Sequence, residues 1–182
     1  DPAMTAYPAD LLARAARIRL ACFDVDGTLT DGDLTYDAEG RESKTFNVQD
    51  GLGLRLLEEN GIAVALVTAR ESSAVKARGR DLKLSHVHTA VKDKAACLRD
   101  ICAQLGIGVD EAAHMGDDLH DLPALAIVGL AVAPANAHAW VASRVHWQTP
   151  SRGGAGAGRE LCDLILRARG LEAAVLERFG AT

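Results

Sequence analysis

The chain has 182 residues, which is enough for one domain with a substantial core, and we predict a single domain over residues 1–182. With 48% hydrophobic and 25% charged residues, the composition excludes disordered and fibrous proteins. The net charge of −5 leaves no broad basic surface for binding nucleic acid phosphates, so we expect no nucleic-acid partner.

The apolar runs are too short for a membrane span, and the first residues lack the pattern of a signal peptide, so we expect no membrane partner and a cytoplasmic location. Residues 1–3, Asp-Pro-Ala before Met4, look like an expression scar. The four cysteines form no CxxC pair and lie in apolar or helical stretches, which favours reduced thiols: Cys22, Cys97, Cys102 and Cys162.

Short apolar runs alternate with helical patterns along the chain, which predicts an α/β fold with a Rossmann-like parallel sheet sandwiched by helices. The predicted strands are, in chain order, 18–23, 62–67, 112–115 and 128–132. The predicted helices are 51–59, 71–82, 92–105, 119–126 and 159–169, with C-terminal helices taking up 159–180. Right-handed crossovers between such strands place ligands at the carboxyl ends of the strands.

Two segments interrupt this alternation. Residues 30–46 have turn residues at Glu39-Gly40 between two extended halves, which predicts a β-hairpin flap at the sheet edge. Residues 150–158 are rich in Ser and Gly, which predicts a flexible loop. Predicted elements fill the intervals 27–67 and 95–116, so we expect no separate cap domain over the site.

Acidic and hydroxyl groups follow several of the predicted strands. Asp24 and Asp26 follow the first strand, Thr68 follows the second, and Asp117 follows a later one. A parallel sheet would bring these groups to one edge. Two close carboxylates repel each other unless a cation lies between them, and oxygen ligands suit Mg²⁺. One carboxylate could then act as nucleophile and the other as general acid and base.

Each of these features also has a purely structural interpretation. Asp-Val-Asp-Gly could be a polar turn, Thr68 could be a helix cap, and Lys94 could be a solvated surface lysine. A functional Lys94 in the first turn of a helix would be explained by an anionic partner. The acids at 117, 118 and 121 crowd one helix N-terminus, where capping and the helix dipole explain one or two of them and a metal explains the third.

The order of these motifs resembles the haloacid dehalogenase superfamily of phosphohydrolases. The motifs are Asp24-Val25-Asp26-Gly27-Thr28, Thr68, Lys94 and Gly116-Asp117-Asp118. More narrowly, the chain resembles the 3-deoxy-D-manno-octulosonate 8-phosphate phosphatases through Phe46-Asn47-Val48-Gln49-Asp50-Gly51, Gly53-Leu54-Arg55, Thr68-Ala69-Arg70, Gly116-Asp117-Asp118-Leu119 and Arg159-Glu160-Leu161-Cys162-Asp163.

This resemblance implies that Asp24 is the nucleophile, forming an aspartyl-phosphate, and that Asp26 is the general acid and base. Asp24, the backbone carbonyl of Asp26, and Asp117 would hold Mg²⁺. Thr68 and Lys94 would bind the transferring phosphoryl group, and Asp118 and Asp121 would support the site. The implied substrate-binding residues are Asp26, Asn47, Val48, Gln49, Asp50, Gly51, Arg55, Arg70, Arg78 and Lys94.

The resemblance also implies a homotetramer in which a partner subunit walls the pocket. Ala69 stands where this family usually has Gly, and Ala155 stands where members often carry Arg. These departures bear on the particular sugar acid phosphate, for which 3-deoxy-D-manno-octulosonate 8-phosphate comes first and other eight- or nine-carbon sugar acid phosphates come next. A phosphotransferase and a noncatalytic scaffold of the same fold are the rival functions.

Three other patterns imitate functional sites. Residues 24–35 lack the acid, glycine and closing Glu of a calcium loop, and the glycines at 153–158 lack the Gly-Lys-Ser/Thr of a nucleotide loop. His86 and His88 share one strand face without a third ligand nearby, which favours a structural role. We expect His120 to be exposed near the site entrance.

Overall fold

The computed structural model describes residues 6–181, so the expected scar at residues 1–3 lies outside the described part. The strands are β1 (Leu20–Phe23), β2 (Thr35–Tyr36), β3 (Glu42–Ser43), β4 (Ala63–Val67), β5 (His86–His88), β6 (Ala112–Met115), β7 (Leu130–Ala133) and β8 (Trp147–Gln148). The α-helices are α1 (Ala9–Ala15), α2 (Val48–Glu59), α3 (Ser73–Leu82), α4 (Lys94–Leu105), α5 (Leu122–Ile127), α6 (Ala139–Ala142), α7 (Ala157–Ala168) and α8 (Glu172–Arg178). Among these residues, no helix combines the length and apolar character that crossing a membrane requires.

Six strands form one parallel sheet in the order β5-β4-β1-β6-β7-β8. Side chains of β1 alternate between two buried clusters: Ala21 and Phe23 pack with α1, α2, α3 and α7, while Leu20 and Cys22 pack with α4, α5 and α6. Helices therefore cover both faces of the sheet, which confirms the predicted α/β architecture. A strand that is buried on both faces reads as a continuous apolar run, and β1 does so.

Side-chain caps determine where the helices near the site begin. Asn47 accepts hydrogen bonds from the backbone N–H groups of Gln49 and Asp50 at 2.8 and 3.0 Å, so α2 starts three residues before the predicted helix. Asp93 accepts from the backbone N–H of Ala96 at 3.0 Å, which makes Lys94 the first residue of α4. The predicted helix at 119–126 is divided into a 3₁₀ turn, Leu119–Asp121, followed by α5.

The hairpin consists of β2 and β3, which pair antiparallel over two residues each. Its turn is closed by Asp37, whose Oδ1 accepts from the backbone N–H groups of Glu39 and Arg41. Gly40 takes the left-handed conformation there, with φ +79°. The hairpin lies between β1 and α2 in the chain. Its second half passes close to the carboxyl ends of the sheet strands, where Lys44 contacts Asp26.

The contacts of residues 150–158 differ from those expected of a flexible loop. The Oδ1 of Asn136 accepts from the backbone N–H of Gly153 at 2.7 Å, and its Nδ2 donates to the carbonyl of Gly27 at 2.9 Å. A Cβ added at Gly153 would lie 2.1 Å from the Gly27 carbonyl oxygen. The glycine content therefore allows this segment to pack closely against the turn that follows β1.

Candidate active site

A cavity of about 360 Å³ lies at the carboxyl ends of β1, β4 and β6. Its lining residues come from segments that are far apart in sequence, and they include the four expected catalytic residues, Asp24, Asp26, Thr68 and Lys94. The other lining residues are Gly32, Ala69, Arg70, Asp117, Asp118, His120 and Asp121. The predicted convergence of these motifs is thus what the fold produces. His120 is exposed at the cavity, as expected.

Asp24 is the buried carboxylate at the base of this cavity, with 7% of its surface exposed. Its backbone N–H donates to the carbonyl of Met115 at 2.9 Å, which extends the β1–β6 pairing to Asp24 itself. Lys94 donates from Nζ to Asp24 Oδ1 at 2.8 Å and to Asp121 Oδ1 at 2.8 Å. Because Lys94 is only 3% exposed, the interpretation as a solvated surface lysine is wrong.

Three carboxylates, those of Asp24, Asp117 and Asp121, bring oxygens within 4.8 Å of one another. Gly27 has φ +84°, and a Cβ added there would lie 1.9 Å from Asp117 Oδ2. The glycine of the Asp-Val-Asp-Gly motif therefore allows both the turn and the close approach of Asp117. The polar-turn interpretation of this motif is incomplete, since the turn is packed against the Asp117 carboxylate, which follows β6.

Asp121 is held on all sides by hydrogen-bond donors. Its Oδ2 accepts from the backbone N–H groups of Asp117 and Asp118 at 3.1 and 3.4 Å. Its Oδ1 lies 2.9 Å from Nε2 of His114, a fully buried residue of β6. The sequence did not lead us to His114, although a histidine in a buried apolar strand is a visible anomaly.

Burial and like charge determine the protonation of this cluster. Burial, followed by the carboxylate of Asp121, raises the pKa of Asp24 well above its usual range, while Lys94 opposes that shift. Burial also raises the pKa of Asp117. Burial alone would raise the pKa of Asp121 as well, but the hydrogen bond from His114 and the charge of Lys94 hold it at about 2. Cations are needed for Asp24 and Asp117 to be ionised together.

A second group of charges surrounds Asp26 and comes from the hairpin. Lys44 donates from Nζ to Asp26 Oδ1 at 2.6 Å and to Glu42 Oε1 at 2.5 Å. Arg70 donates to Glu42 Oε2 at 2.6 Å and to the hydroxyl of Tyr36 at 3.3 Å, and its Nε lies 3.9 Å from Asp26 Oδ2. Sequence reasoning identified Arg70 but missed Glu42, on β3, and Lys44, which follows β3 by one residue. These two residues are two positions apart on extended chain, a spacing that places both side chains on one face.

Thr68 is buried and is one of the residues that line the cavity. The backbone N–H of Arg70 donates to Thr68 Oγ1 at 3.4 Å. The N-cap of α3 is instead Ser72, which accepts from the backbone N–H of Val75 at 3.2 Å. The interpretation of Thr68 as a helix cap is therefore wrong.

The other expected substrate-binding residues, those at 47–51, 55 and 78, do not line this cavity in the described chain. Asn47, Asp50, Gly51 and Arg78 lie together around a smaller pocket, where Arg78 donates to the Asn47 carbonyl at 3.3 Å. The remaining three differ: Val48 is 80% exposed, the carbonyl of Gln49 accepts from Arg159, and Arg55 pairs with Glu59 and donates to the Leu82 carbonyl.

The donors at the main cavity fit a hard divalent cation. Both oxygens of Asp121 already accept hydrogen bonds, and the Asp26 carboxylate is engaged by Lys44. Among the three clustered carboxylates, the less committed oxygens therefore belong to Asp24 and Asp117. Carboxylate and carbonyl oxygens are the ligands that Mg²⁺ prefers.

A family model for haloacid dehalogenase-like hydrolases matches residues 86–161. The 3-deoxy-D-manno-octulosonate 8-phosphate phosphatase of Yersinia pestis is 41% identical over 160 residues, which are 88% of this chain and 86% of that protein. The chain belongs to the haloacid dehalogenase-like hydrolase family. The predicted family resemblance is thereby confirmed, and the protein is a phosphatase of this family.

Solved structures show the same similarity in three dimensions. A hypothetical protein from Xanthomonas campestris is 57% identical, with a TM-score of 0.95 over 98% of this chain and 97% of that one. The 3-deoxy-D-manno-octulosonate 8-phosphate phosphatase from Moraxella catarrhalis, in complex with a magnesium ion, a phosphate ion and KDO, is 38% identical, with a TM-score of 0.92 over 95% of this chain and 99% of that one. The expected absence of a separate cap agrees with these nearly full-length matches.

Proposed function

We propose that this phosphatase is a magnesium-dependent phosphomonoester hydrolase that acts on 3-deoxy-D-manno-octulosonate 8-phosphate through an aspartyl-phosphate on Asp24. The observation that carries the proposal is the position of Asp24 at the cavity base, 2.8 Å from the Lys94 ammonium and next to Asp117. A carboxylate with a cation on one side and a metal-binding acid on the other can approach a phosphate.

In the proposed reaction, a carboxylate oxygen of Asp24 forms a bond to phosphorus while the bond from phosphorus to the sugar oxygen breaks. Asp26 donates a proton to that leaving oxygen. Asp26 then takes a proton from a water that attacks the aspartyl-phosphate, releasing inorganic phosphate and regenerating Asp24. Thr68 and Lys94 would bind the phosphoryl oxygens in both steps.

Asp24, the backbone carbonyl of Asp26, and Asp117 are the residues that would hold Mg²⁺. A bound dication neutralises the phosphate and so lets two anions approach each other. Asp121 and Asp118 would support these ligands: Asp121 fixes Lys94 and the backbone at 117–118, and Asp118 caps the 3₁₀ turn by accepting from the backbone N–H of Leu119.

Similarity to phosphatases named for 3-deoxy-D-manno-octulosonate 8-phosphate supports the choice of substrate. The exposed guanidinium of Arg70 at the cavity offers a cation for a sugar carboxylate. Ala69 lines the cavity and Ala155 is exposed on the 150–158 segment. Neither position supplies a polar side chain, so we propose that phosphate chemistry is unaffected and that sugar selectivity is the property to test.

We further propose that the enzyme is a homotetramer in which a neighbouring copy completes the pocket. The residues at 47–51, with Arg78, lie outside the cavity of their own chain and would contact substrate in a neighbouring one. Large apolar side chains are exposed on the hairpin and on the first turns of α2, which a subunit interface would bury: Leu34, Tyr36, Val48 and Leu52. Light scattering should give four times the chain mass of 19.2 kDa, and a monomer mass would contradict the assembly.

The decisive test of the chemistry is phosphate release by Asp24→Asn. We expect turnover to be nearly abolished, because the amide cannot attack phosphorus. Asp110→Asn is the matched control, since Asp110 forms an exposed ion pair with Arg17 away from the cavity, and it should keep the wild-type rate. Wild-type turnover by Asp24→Asn would refute the mechanism.

Substrate choice is tested by phosphate release from a panel of sugar phosphates with Mg²⁺. We expect the highest kcat/KM for the octulosonate 8-phosphate and lower values for other eight- and nine-carbon sugar acid phosphates. Activity on neutral sugar phosphates alone would contradict the proposed substrate class. Absence of hydrolysis across the panel would favour the scaffold function, and activity that persists after chelation would contradict the metal assignment.

A further inference from the structure

The side chain of Lys44 is almost completely buried although it comes from an exposed hairpin. Its side chain is 3% exposed, while its neighbours Ser43 and Thr45 are exposed. A buried ammonium is costly unless it is paired and hydrogen-bonded. Lys44 meets this requirement with two carboxylates, Asp26 at 2.6 Å and Glu42 at 2.5 Å.

These contacts close a ring of four charged groups. Lys44 links one oxygen of Asp26 to one oxygen of Glu42, and Arg70 links the other oxygen of Glu42, at 2.6 Å, to the other side of Asp26, at 3.9 Å. Both Asp26 and Arg70 line the main cavity. The shortest contact made by the Asp26 carboxylate in this ring is therefore with a hairpin residue, and not with the sheet that carries Asp26.

We propose that Lys44 is a positioning residue for the leaving-group proton transfer, because it fixes the carboxylate of Asp26 and ties the hairpin to the cavity. This inference rests on the role of Asp26 in the proposed function. General acid–base groups act only within hydrogen-bond reach of the atom they serve, so a carboxylate that rotates freely on its Cα–Cβ bond would be in place for only part of the time. Lys44 removes that freedom.

A positioning role makes a prediction about leaving groups that a merely structural role does not. A poor leaving group, such as the alkoxide of an alkyl phosphate, needs a proton from Asp26, whereas 4-nitrophenolate leaves without one. The hydrolysis of the aspartyl-phosphate is common to both esters, so the comparison is made on kcat/KM, which reports on the steps up to departure of the leaving group. Lys44→Met should lower kcat/KM for alkyl phosphates by about tenfold or more, and lower kcat/KM for 4-nitrophenyl phosphate by less than about threefold. Lys44→Arg, which keeps a cationic N–H donor, should restore part of the loss.

Arg41→Met is the matched control on the same hairpin. Arg41 also pairs with a carboxylate, Asp37, at 2.6 Å, but its side chain is 76% exposed, and neither Asp37 nor its second partner Glu39 lines the cavity. This variant should hydrolyse both esters at the wild-type rate. In an Asp26→Asn background, Lys44→Met should cause no further selective loss, because the group that it positions is already gone.

Equal losses of kcat/KM on both esters, or wild-type values of kcat/KM on both, would overturn the Lys44 inference. An active Asp24→Asn would refute the proposed nucleophile. This outcome is distinguishable from failure of the Lys44 inference, because the activity of Asp24→Asn does not depend on Lys44. Thermal melting shows whether each variant folds. If Lys44→Met does not fold, Glu42→Gln replaces it, since this change loosens Lys44 without removing it, and the same selective loss is expected in smaller degree.

Discussion

Gly27→Ala tests whether the close approach of Asp117 to the turn after β1 is needed for metal-dependent activity. A left-handed φ of +84° costs an alanine roughly 1–2 kcal/mol, part of which is offset by a less flexible unfolded chain, so we expect about 1 kcal/mol of lost stability from the backbone alone. The added Cβ would lie 1.9 Å from Asp117 Oδ2, so the carboxylate must move by roughly 1 Å or more to reach van der Waals distance.

A misplacement of about 1 Å at a catalytic site can cost about a hundredfold in rate. We therefore expect Gly27→Ala to raise the Mg²⁺ concentration for half-maximal phosphate release and to lower kcat by about a hundredfold. Urea denaturation measures the stability term, and a Mg²⁺ titration of phosphate release measures the functional one.

Gly61→Ala is the control for the backbone term. Gly61 has φ +80° and no atom within 4 Å of an added Cβ, so this variant should lose about the same stability from its backbone and keep the wild-type Mg²⁺ requirement. If both variants showed wild-type Mg²⁺ dependence and turnover, the packing of Asp117 against Gly27 would have no functional weight and the reasoning would be refuted.

The acidic cluster gives three further predictions. His114→Phe should lower kcat by about tenfold, because Asp121 loses a buried hydrogen bond. His114→Gln should recover much of the lost kcat, because its Nε2 can take the place of the ring nitrogen. Equal kcat values for the two variants would contradict a role for the hydrogen bond. The pKa of Asp121 is held at about 2, below its value in the unfolded chain, so its ionisation stabilises the fold above about pH 4, and this contribution of about 2 kcal/mol disappears as the pH falls towards 2. Urea denaturation of the metal-free protein should show that the wild type loses more stability than Asp121→Asn between about pH 4 and pH 2. Parallel curves of stability against pH for the two proteins would contradict the lowered pKa. Asp117→Ala should raise the Mg²⁺ requirement in a phosphate-release titration, and an unchanged requirement would remove Asp117 from the metal site.

The central sheet and the main cavity were predictable because they depend on local patterns. Each central strand is a short apolar run, and in a parallel sheet the residue after each run must lie at the same edge. Asp24, Thr68 and Asp117 could therefore be placed together without any knowledge of side-chain packing. Strand and helix ends moved by a few residues, because caps such as Asn47 determine where hydrogen bonding begins.

The contacts made by the hairpin could not be predicted in the same way. Turn residues show that a hairpin forms, but the direction in which it folds depends on tertiary contacts such as that between Lys44 and Asp26, 18 residues earlier. The role of His114 could have been predicted from the sequence, since an imidazole at a fully buried strand position needs a polar partner. The glycines at 150–158 were interpreted as signs of a flexible loop, whereas Gly153 packs closely against the backbone carbonyl of Gly27.

The hairpin and the acidic cluster share one arrangement of charges around the cavity, in which a lysine lies between two carboxylates. Lys94 is shared between Asp24 and Asp121, and Lys44 is shared between Asp26 and Glu42. Each buried lysine is therefore already matched by two carboxylates, and neither has charge to spare for a phosphate dianion. The divalent cation that we propose at Asp24 and Asp117 would supply the missing positive charge. In the proposed reaction Lys94 would then turn from a carboxylate towards phosphate while Lys44 stays with Asp26, because the two lysines would serve different groups: the phosphoryl oxygens and the carboxylate that transfers the proton.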